Sequence, residues 1–283
     1  MTRPIIFTDL DGTLLDFSTY TPDEARSSVA RLQQENIPII FCSSKTRREQ
    51  EPYRTHLNIS DPFIVENGSA ILIPHQYFTP PIPEHKRTEA YVVIELGNPA
   101  EAIRHALAEI RRETNLTFDG FSDLTEEAVR QITGLSPAQA NAARAREYSE
   151  TIVTSLSNLA REKIATALTA RGYQLLSGGR FLTVTSAQTD KGRAVTLLTH
   201  LYRQRDGKVT ALGIGDSRND AALFAAVDHA YQVQKPDGTW EPIPDLAIHR
   251  VPAIGPAGWN WVAENCITQK HPFSTRTPPY AGV

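Results

Sequence analysis

With 283 residues, 40% hydrophobic and 22% charged, the chain carries enough apolar material for one large domain or two modest ones. A net charge of −3 excludes a global basic field for nucleic acid or an anionic membrane, so an anionic substrate would need a local basic pocket. No apolar run reaches membrane-span length, Met1-Thr2-Arg3-Pro4 leaves no room for a signal peptide, and Cys42 and Cys266 are the only cysteines. The expectation is a cytoplasmic protein without a disulfide framework.

In chain order, residues 5–8 read as a short buried strand that ends in Asp9-Leu10-Asp11-Gly12-Thr13. Thr21-Pro22-Asp23-Glu24 predicts a helix start with a capping box, followed by Ala25, Val29 and Leu32 on one face. A continuous apolar strand over 37–42 ends at Ser43-Ser44-Lys45-Thr46. Thr46 and Glu49 repeat the capping pattern, opening a helix toward Leu57 that is irregular at Pro52. Near-continuous apolar strands alternating with helices indicate a parallel sheet, whose carboxyl-end loops form the binding edge. Residues 63–66 and 70–73 flank Asn67-Gly68 as a hairpin, and 74–84, with four prolines, is the best linker.

A second region over 85–182 reads as an α+β module. It comprises a strand over 91–96, a helix from Asn98-Pro99-Ala100-Glu101, and an Ala-rich helix from Ser136-Pro137-Ala138-Gln139. A strand over 152–156, a helix over 159–171 closed by Gly172, and two strands joined at Gly178-Gly179 follow. The third region resumes the first pattern. Asp190-Lys191-Gly192 opens a helix, and a buried strand over 209–214 ends in Gly215-Asp216-Ser217-Arg218-Asn219-Asp220. A helix over 221–227, short strands at 230–233 and 246–248, a last helix over 256–267 and a loose Pro/Thr/Gly tail from His271 complete it.

Two carboxylates as close as Asp9 and Asp11 repel unless a cation joins them or one keeps a proton. That suits a Mg²⁺ site with a nucleophile and an acid/base partner; the bland alternative is a solvated Asx turn. Asp216 is the second acidic strand end. If the two strands are neighbours, Asp9, Asp216 and the main-chain carbonyl of Asp11 can hold one Mg²⁺, with Asp220 orienting its waters. Ser43 at a strand end can donate to a phosphate oxygen, and Lys191 at a helix start can neutralise phosphate charge. Taken singly, Ser43 is an ordinary turn residue and Lys191 an ordinary surface lysine.

Taken together, Asp9-x-Asp11-x-Thr13, Ser43, Lys191 and Gly215-Asp216-x-x-Asn219-Asp220 resemble, in order, the four motifs of the haloacid-dehalogenase-like phosphatases. The insertion between Ser43 and Lys191 resembles the α+β cap of their sugar-phosphatase (Cof-type) branch. Within it the closer likeness is to the mannosyl-3-phosphoglycerate phosphatases. It is carried by Ser43-Ser44-Lys45-Thr46, Pro62-Phe63-Ile64-Val65-Glu66-Asn67-Gly68, Arg146-Glu147-Tyr148-Ser149-Glu150, Gly178-Gly179-Arg180-Phe181 and Asp190-Lys191-Gly192. Lys235-Pro236 and Gly255-Pro256-x-Gly258-Trp259-Asn260 fit the same pattern, and the Pro-rich tail departs from it.

The resemblance implies a Rossmann-like α/β core over 1–84 and 183–283 with an inserted α+β cap over 85–182. It further implies a Mg²⁺-dependent phosphatase acting on a small phosphorylated glycoside. Asp9 becomes the nucleophile and Asp11 the acid/base. Ser43, Lys191, Asn219 and Gly12 serve the phosphate, and Asp9, Asp11, Asp216 and Asp220 the metal. Lys45, Ser44, Arg146, Glu147, Arg180 and Gly179 face the organic part of the substrate. Other glycosyl phosphates, a phosphomutase and a non-catalytic receiver-like phospho-aspartate module are the competing readings. Asp11 and the long insertion argue against the receiver.

Overall fold

The computed structural model describes residues 2–268 apart from 80, 81, 84 and 179, so the expected tail from His271 lies outside the described residues. The first strand, β1 (Arg3–Thr8), carries Ile5, Ile6 and Phe7 without exposed surface, as a strand covered on both faces requires. Helix α1 (Arg26–Gln34) buries Val29 and Leu32 as expected. The expected cap at Thr21 is absent. Instead the Asp16 carboxylate gathers Ser18 N and Thr19 N, Asp16 N donates to the Thr21 carbonyl, and a single 3-10 turn (Asp23–Ala25) leads into the helix. The Thr21 hydroxyl lies 3.1 Å from Thr19 Oγ1, within the Asx turn on Asp16, and caps nothing.

Next come β2 (Ile39–Phe41) and α2 (Arg47–His56), where the Thr46–Glu49 capping box forms as expected. The hairpin of β3 (Phe63–Val65) and β4 (Ala70–Pro74) turns through Glu66, Asn67 and Gly68, all with positive φ. Gly68 is required there: a Cβ would lie 1.9 Å from the Asp190 carbonyl oxygen.

The short β5 (Lys86–Arg87) and β6 (Tyr91–Glu95) follow. Strand β6 falls within the region expected to form the cap, yet it pairs antiparallel with β4. The result is a four-stranded sheet, β3-β4-β6-β5, whose Ile71, Ile73, Val92 and Ile94 pack in one cluster with Ile5, Phe7 and Ile40. Val92, Val93 and Ile94 form a continuous apolar run that packs on both faces of the strand, as pairing with β4 beside the core requires.

The inserted module contains α3 (Ala100–Thr114), α4 (Glu126–Thr133), α5 (Pro137–Arg144), β7 (Glu150–Ile152), α6 (Asn158–Thr169), β8 (Tyr173–Gly178) and β9 (Phe181–Ser186). Its sheet is antiparallel, β7-β9-β8, and Ile103, Leu107, Ile110, Ile164, Leu168 and Val184 form a core of its own. Helix α4 was not expected, although its signals are local: Thr125 caps it by accepting from Ala128 N, Glu126 and Glu127 fill the first turn, Val129 is buried and Gly134 closes it in the left-handed conformation. Strand β7 spans Glu150–Ile152 rather than the expected 152–156. Arg104 Nε donates to the buried Glu150 carboxylate at 2.8 Å, and this pairing lets a charge enter the strand.

The chain returns through α7 (Lys191–Asp206), β10 (Val209–Gly215), α8 (Ala221–Ala225), β11 (His229–Gln234), β12 (Ile248–Ile254) and α9 (Gly255–Thr268). The last strand lies later than the expected 246–248. It is the sheet's edge, where His249 and Arg250 are tolerated and an apolar pattern is not needed. The central sheet is fully parallel in the order β12-β11-β10-β1-β2. Among the described residues no helix is long and apolar enough to cross a membrane.

Candidate active site

Strands β1 and β10 are neighbours, with Thr8 opposite Ile214, so Asp9 and Asp216 leave adjacent strand ends. Asp9 N donates to the Ile214 carbonyl at 2.9 Å, which fixes where the carboxylate starts. One carboxylate oxygen each from Asp9, Asp216 and Asp220 lies within 4.8 Å of the others, and all three residues are buried. Lys191, itself 2% exposed, donates from Nζ to Asp9 Oδ1 at 2.6 Å and to Asp220 Oδ1 at 2.7 Å.

One buried ammonium faces three buried carboxylates, and the imbalance is visible in their protonation. Burial pushes Asp9 up to about 7; Lys191 opposes this, while Asp220 and Asp11 add to it. Burial, then Asp220 and Asp9, pushes Asp216 up to about 8. Burial works against the Lys191 charge, but Asp220 and Asp9 outweigh it and hold the ammonium well above its ordinary pKa. A divalent cation on these oxygens would remove the excess negative charge. An all-oxygen donor set suits Mg²⁺.

The loop itself is shaped by Asp220, whose Oδ2 accepts from Asp216 N at 3.1 Å and Ser217 N at 3.2 Å. Gly215 makes room for this, since a Cβ there would sit 2.4 Å from Asp220 Oδ2. Asn219 donates from Nδ2 to Asn67 Oδ1 at 3.2 Å, linking the loop to the β3–β4 turn. Gly12 turns with φ +72, and a Cβ on it would approach Asp216 Oδ2 at 3.3 Å.

Asp11 stands on the more open side of the cluster, paired with Lys45 Nζ at 3.0 Å. Burial disfavours the Lys45 charge, yet Asp11 and Glu49 hold its pKa above the ordinary lysine value. Ser43 is buried at the end of β2, with its N donating to the Ile64 carbonyl and its Oγ accepting from Lys45 N at 3.3 Å. Two supports were not foreseen. Trp259 donates from Nε1 to Thr8 Oγ1 at 3.0 Å, and Thr8 Oγ1 donates to the Asp9 carbonyl at 2.7 Å. Gln232 donates from Nε2 to the Asp216 carbonyl at 3.2 Å. Trp259 belongs to the 255–260 segment already noted in the sequence, but neither its contact 251 positions back nor that of Gln232 sixteen positions back is legible there.

The residues expected to meet the organic part of a substrate are divided. Arg146 reaches the core: its Nη1 donates to the Ser44 carbonyl at 3.3 Å and to Ser149 Oγ at 2.9 Å. Its guanidinium also lies 5.9 Å from the Phe121 ring centre. Glu147 is engaged elsewhere, accepting from Arg47 Nε at 2.9 Å. Arg180 is exposed at the β8–β9 turn, 5.3 Å over the Phe181 ring, and Phe181 packs edge-on to Phe121. Gly179 lies outside the described residues. A cleft of about 250 Å³ opens between core and insertion, walled by Tyr20, Lys45 and Tyr53 on one side and Leu135, Gln139 and Ala142 on the other.

Adjacent acidic strand ends, a buried lysine from a following helix and a large insertion define a class, and the sequence comparison agrees with it. The model of the haloacid dehalogenase-like hydrolases matches residues 6–237, and the chain belongs to that family. It is 42% identical over 259 residues to a glucosyl-3-phosphoglycerate/mannosyl-3-phosphoglycerate phosphatase of Methanococcoides burtonii, covering 91% of this chain and 95% of that one. It is 43% identical over 229 residues to a mannosyl-3-phosphoglycerate phosphatase of Pyrococcus furiosus, covering 81% and 90%. A solved structure from Thermoplasma acidophilum shares the fold with a TM-score of 0.68 at 14% identity, over 94% of this chain and 99% of that one.

Proposed function

We propose that the protein is a Mg²⁺-dependent phosphoric monoester hydrolase that removes the phosphate of mannosyl-3-phosphoglycerate, with Asp9 as nucleophile. The observation that carries the chemistry is the meeting of Asp9, Asp216 and Lys191 at adjacent strand ends, with Asp11 beside them. The substrate rests on relatives 42% and 43% identical that are named for it. One of them is named for the glucosyl compound as well, so the glucosyl ester is the second substrate to test. Cysteine usage supports a cytoplasmic site of action.

The steps follow from the residues. A carboxylate oxygen of Asp9 attacks phosphorus, forming an aspartyl-phosphate as the ester P–O bond breaks. Asp11 gives its proton to the departing glycerate oxygen. Water then attacks phosphorus, Asp11 takes its proton, and the bond to Asp9 breaks to release phosphate. Lys191 holds the Asp9 carboxylate in place and, with Ser43, Asn219 and the amides near Gly12, offsets charge on the phosphate oxygens. Asp9, Asp216 and the Asp11 carbonyl would hold Mg²⁺, with Asp220 behind them. When bound, the ion neutralises the carboxylates and draws charge from the phosphate. The inserted region, taken as 85–182, is the specificity domain; because β5 and β6 join the sheet beside the core, its working part begins at α3.

Two tests arise here. Carboxyls with raised pKa values hold extra protons in the folded state. The cation-free protein is therefore expected to lose stability as pH rises from about 4 through about 8. Added Mg²⁺ should raise Tm more at pH 8 than at pH 6, and exhaustive chelation should abolish turnover. An unchanged Tm at both pH values would remove the metal from this site.

The second test concerns the arginines. A glycerate carboxylate needs a planar donor that the phosphate site does not supply, and Arg146, at the Ser44 carbonyl, is placed for it. Arg146→Ala is expected to lower kcat/KM for mannosyl-3-phosphoglycerate by the ~1.5–3 kcal/mol of a charged hydrogen bond, and Arg180→Ala in the same direction. Hydrolysis of p-nitrophenyl phosphate, which lacks the carboxylate, should fall far less. Equal losses would assign these residues to the fold or the phosphate site.

A further inference from the structure

The turn between β3 and β4 bonds to several separate pieces of the protein. Glu66 N donates to the Lys45 carbonyl at 3.1 Å and Asn67 N to the Ser43 carbonyl at 3.0 Å, so the turn grips the loop that carries Ser43. Asn67 Oδ1 accepts from Asn219, which ties the turn to the Asp216–Asp220 loop. Gly68 lies against the Asp190 backbone, directly before Lys191. Ser69, just beyond, accepts through its carbonyl from Leu96 N and Gly97 N, both at 2.9 Å, where the chain leaves for the insertion.

The fifth connection is the Glu66 side chain. This carboxylate has no exposed surface, and it points into the insertion rather than the core. Its Oε1 accepts from Glu147 N at 2.8 Å; its Oε2 accepts from Tyr148 N at 3.1 Å and from Ser149 Oγ. The same Ser149 Oγ accepts from Arg146 Nη1 at 2.9 Å. A continuous path therefore runs from Glu66 through Ser149 to Arg146, and from Arg146 back to the Ser44 carbonyl beside Ser43. Burying a carboxylate is costly, and two consecutive non-glycine residues at positive φ add to that cost. A turn made only to reverse the chain takes positive φ at an Asn-Gly pair, as at 67 and 68, but needs neither a buried carboxylate nor a left-handed glutamate. A turn that must aim a carboxylate at three donors on another module needs both.

We infer that Glu66 is a positioning residue for substrate recognition. It fixes the 146–149 segment so that Arg146 stays at the edge of the phosphate loop, and the turn thereby ties the insertion to the loops of Ser43, Lys191 and Asp216. This rests on the phosphatase reading above. A substrate that reaches into the insertion depends on the joint; a small aryl phosphate held by the core does not.

The test compares the full-length protein with Glu66→Gln, which keeps the volume but cannot accept from all three donors. In Mg²⁺, kcat/KM for mannosyl-3-phosphoglycerate is expected to fall about 10²-fold, the usual cost of a small misplacement. Hydrolysis of p-nitrophenyl phosphate should stay near wild type. In an Arg146→Ala background, Glu66→Gln should add little further loss, because both changes disable one element. Equal losses on the two substrates, no loss on either, or full multiplicative losses in the double variant would overturn the inference. If Glu66→Gln does not fold, Ser149→Ala takes its place in the same design. It removes only the hydroxyl between Glu66 and Arg146, and a selective loss absent from the Arg146→Ala background is again expected. If the wild-type protein ignores mannosyl-3-phosphoglycerate, the substrate reading fails by itself. The contrast is then read on the best substrate of a sugar-phosphate panel.

Discussion

Asp9→Asn is expected to abolish turnover and leave the fold intact. An amide cannot accept the phosphoryl group, so the covalent route is closed rather than slowed. Losses on the order of 10⁶ accompany removal of a covalent nucleophile in a hydrolase. The fold should tolerate the change well. Asp9 is a buried carboxylate whose charge is opposed by burial and by Asp220, so a neutral isostere relieves repulsion. Lys191 keeps its bond to Asp220 at 2.7 Å, and the Asp9 main chain keeps its bond to the Ile214 carbonyl. In the cation-free protein the expected Tm is equal to or above that of the wild type, which separates loss of chemistry from loss of structure. Residual kcat near the wild-type value, on any phosphate ester, would remove Asp9 from the reaction.

Asp11→Asn should be the next most damaging change, costing ~10²–10⁴ in rate as general acid/base help usually does. The size should depend on the leaving group. A glycerate alkoxide needs a proton as it departs; p-nitrophenolate hardly does. The loss in the first step should therefore be large with mannosyl-3-phosphoglycerate and small with p-nitrophenyl phosphate. The ion pair with Lys45 at 3.0 Å gives the variant a second consequence. Among the described residues, Lys45 would keep only Glu49, 3.8 Å away, as a carboxylate partner within ion-pair range. Losing the paired charge beside a largely buried ammonium should lower Tm modestly, which Asp9→Asn should not do. Equal rate losses on good and poor leaving groups would make Asp11 a structural or metal-holding residue.

Much of this was legible in the sequence, because the elements that carry the site announced themselves locally. Apolar runs that stop at Asp9, Ser43 and Asp216 marked the sheet and its binding edge, and Thr46 with Glu49 marked the start of α2. What the sequence did not carry is who lies beside whom. That β6 joins β4, rather than the insertion's own sheet, depends on a free edge that no local pattern records. Trp259 reads as part of the 255–260 segment of a last helix; that it donates to Thr8 from 251 positions away is not legible there. Glu147 and Lys45 read as free charges for a ligand, whereas the fold pairs them with Arg47 and Asp11. Glu66 reads as the end of a strand; its left-handed backbone and its aim into the insertion appear only in three dimensions.

The most direct test is phosphate release by the wild-type protein in Mg²⁺, measured with mannosyl-3-phosphoglycerate beside glucosyl-3-phosphoglycerate and p-nitrophenyl phosphate. Rapid release from mannosyl-3-phosphoglycerate, with kcat/KM well above that for p-nitrophenyl phosphate, is the expected result. Release from p-nitrophenyl phosphate alone would contradict the substrate, and no release from any of the three would contradict the phosphatase itself.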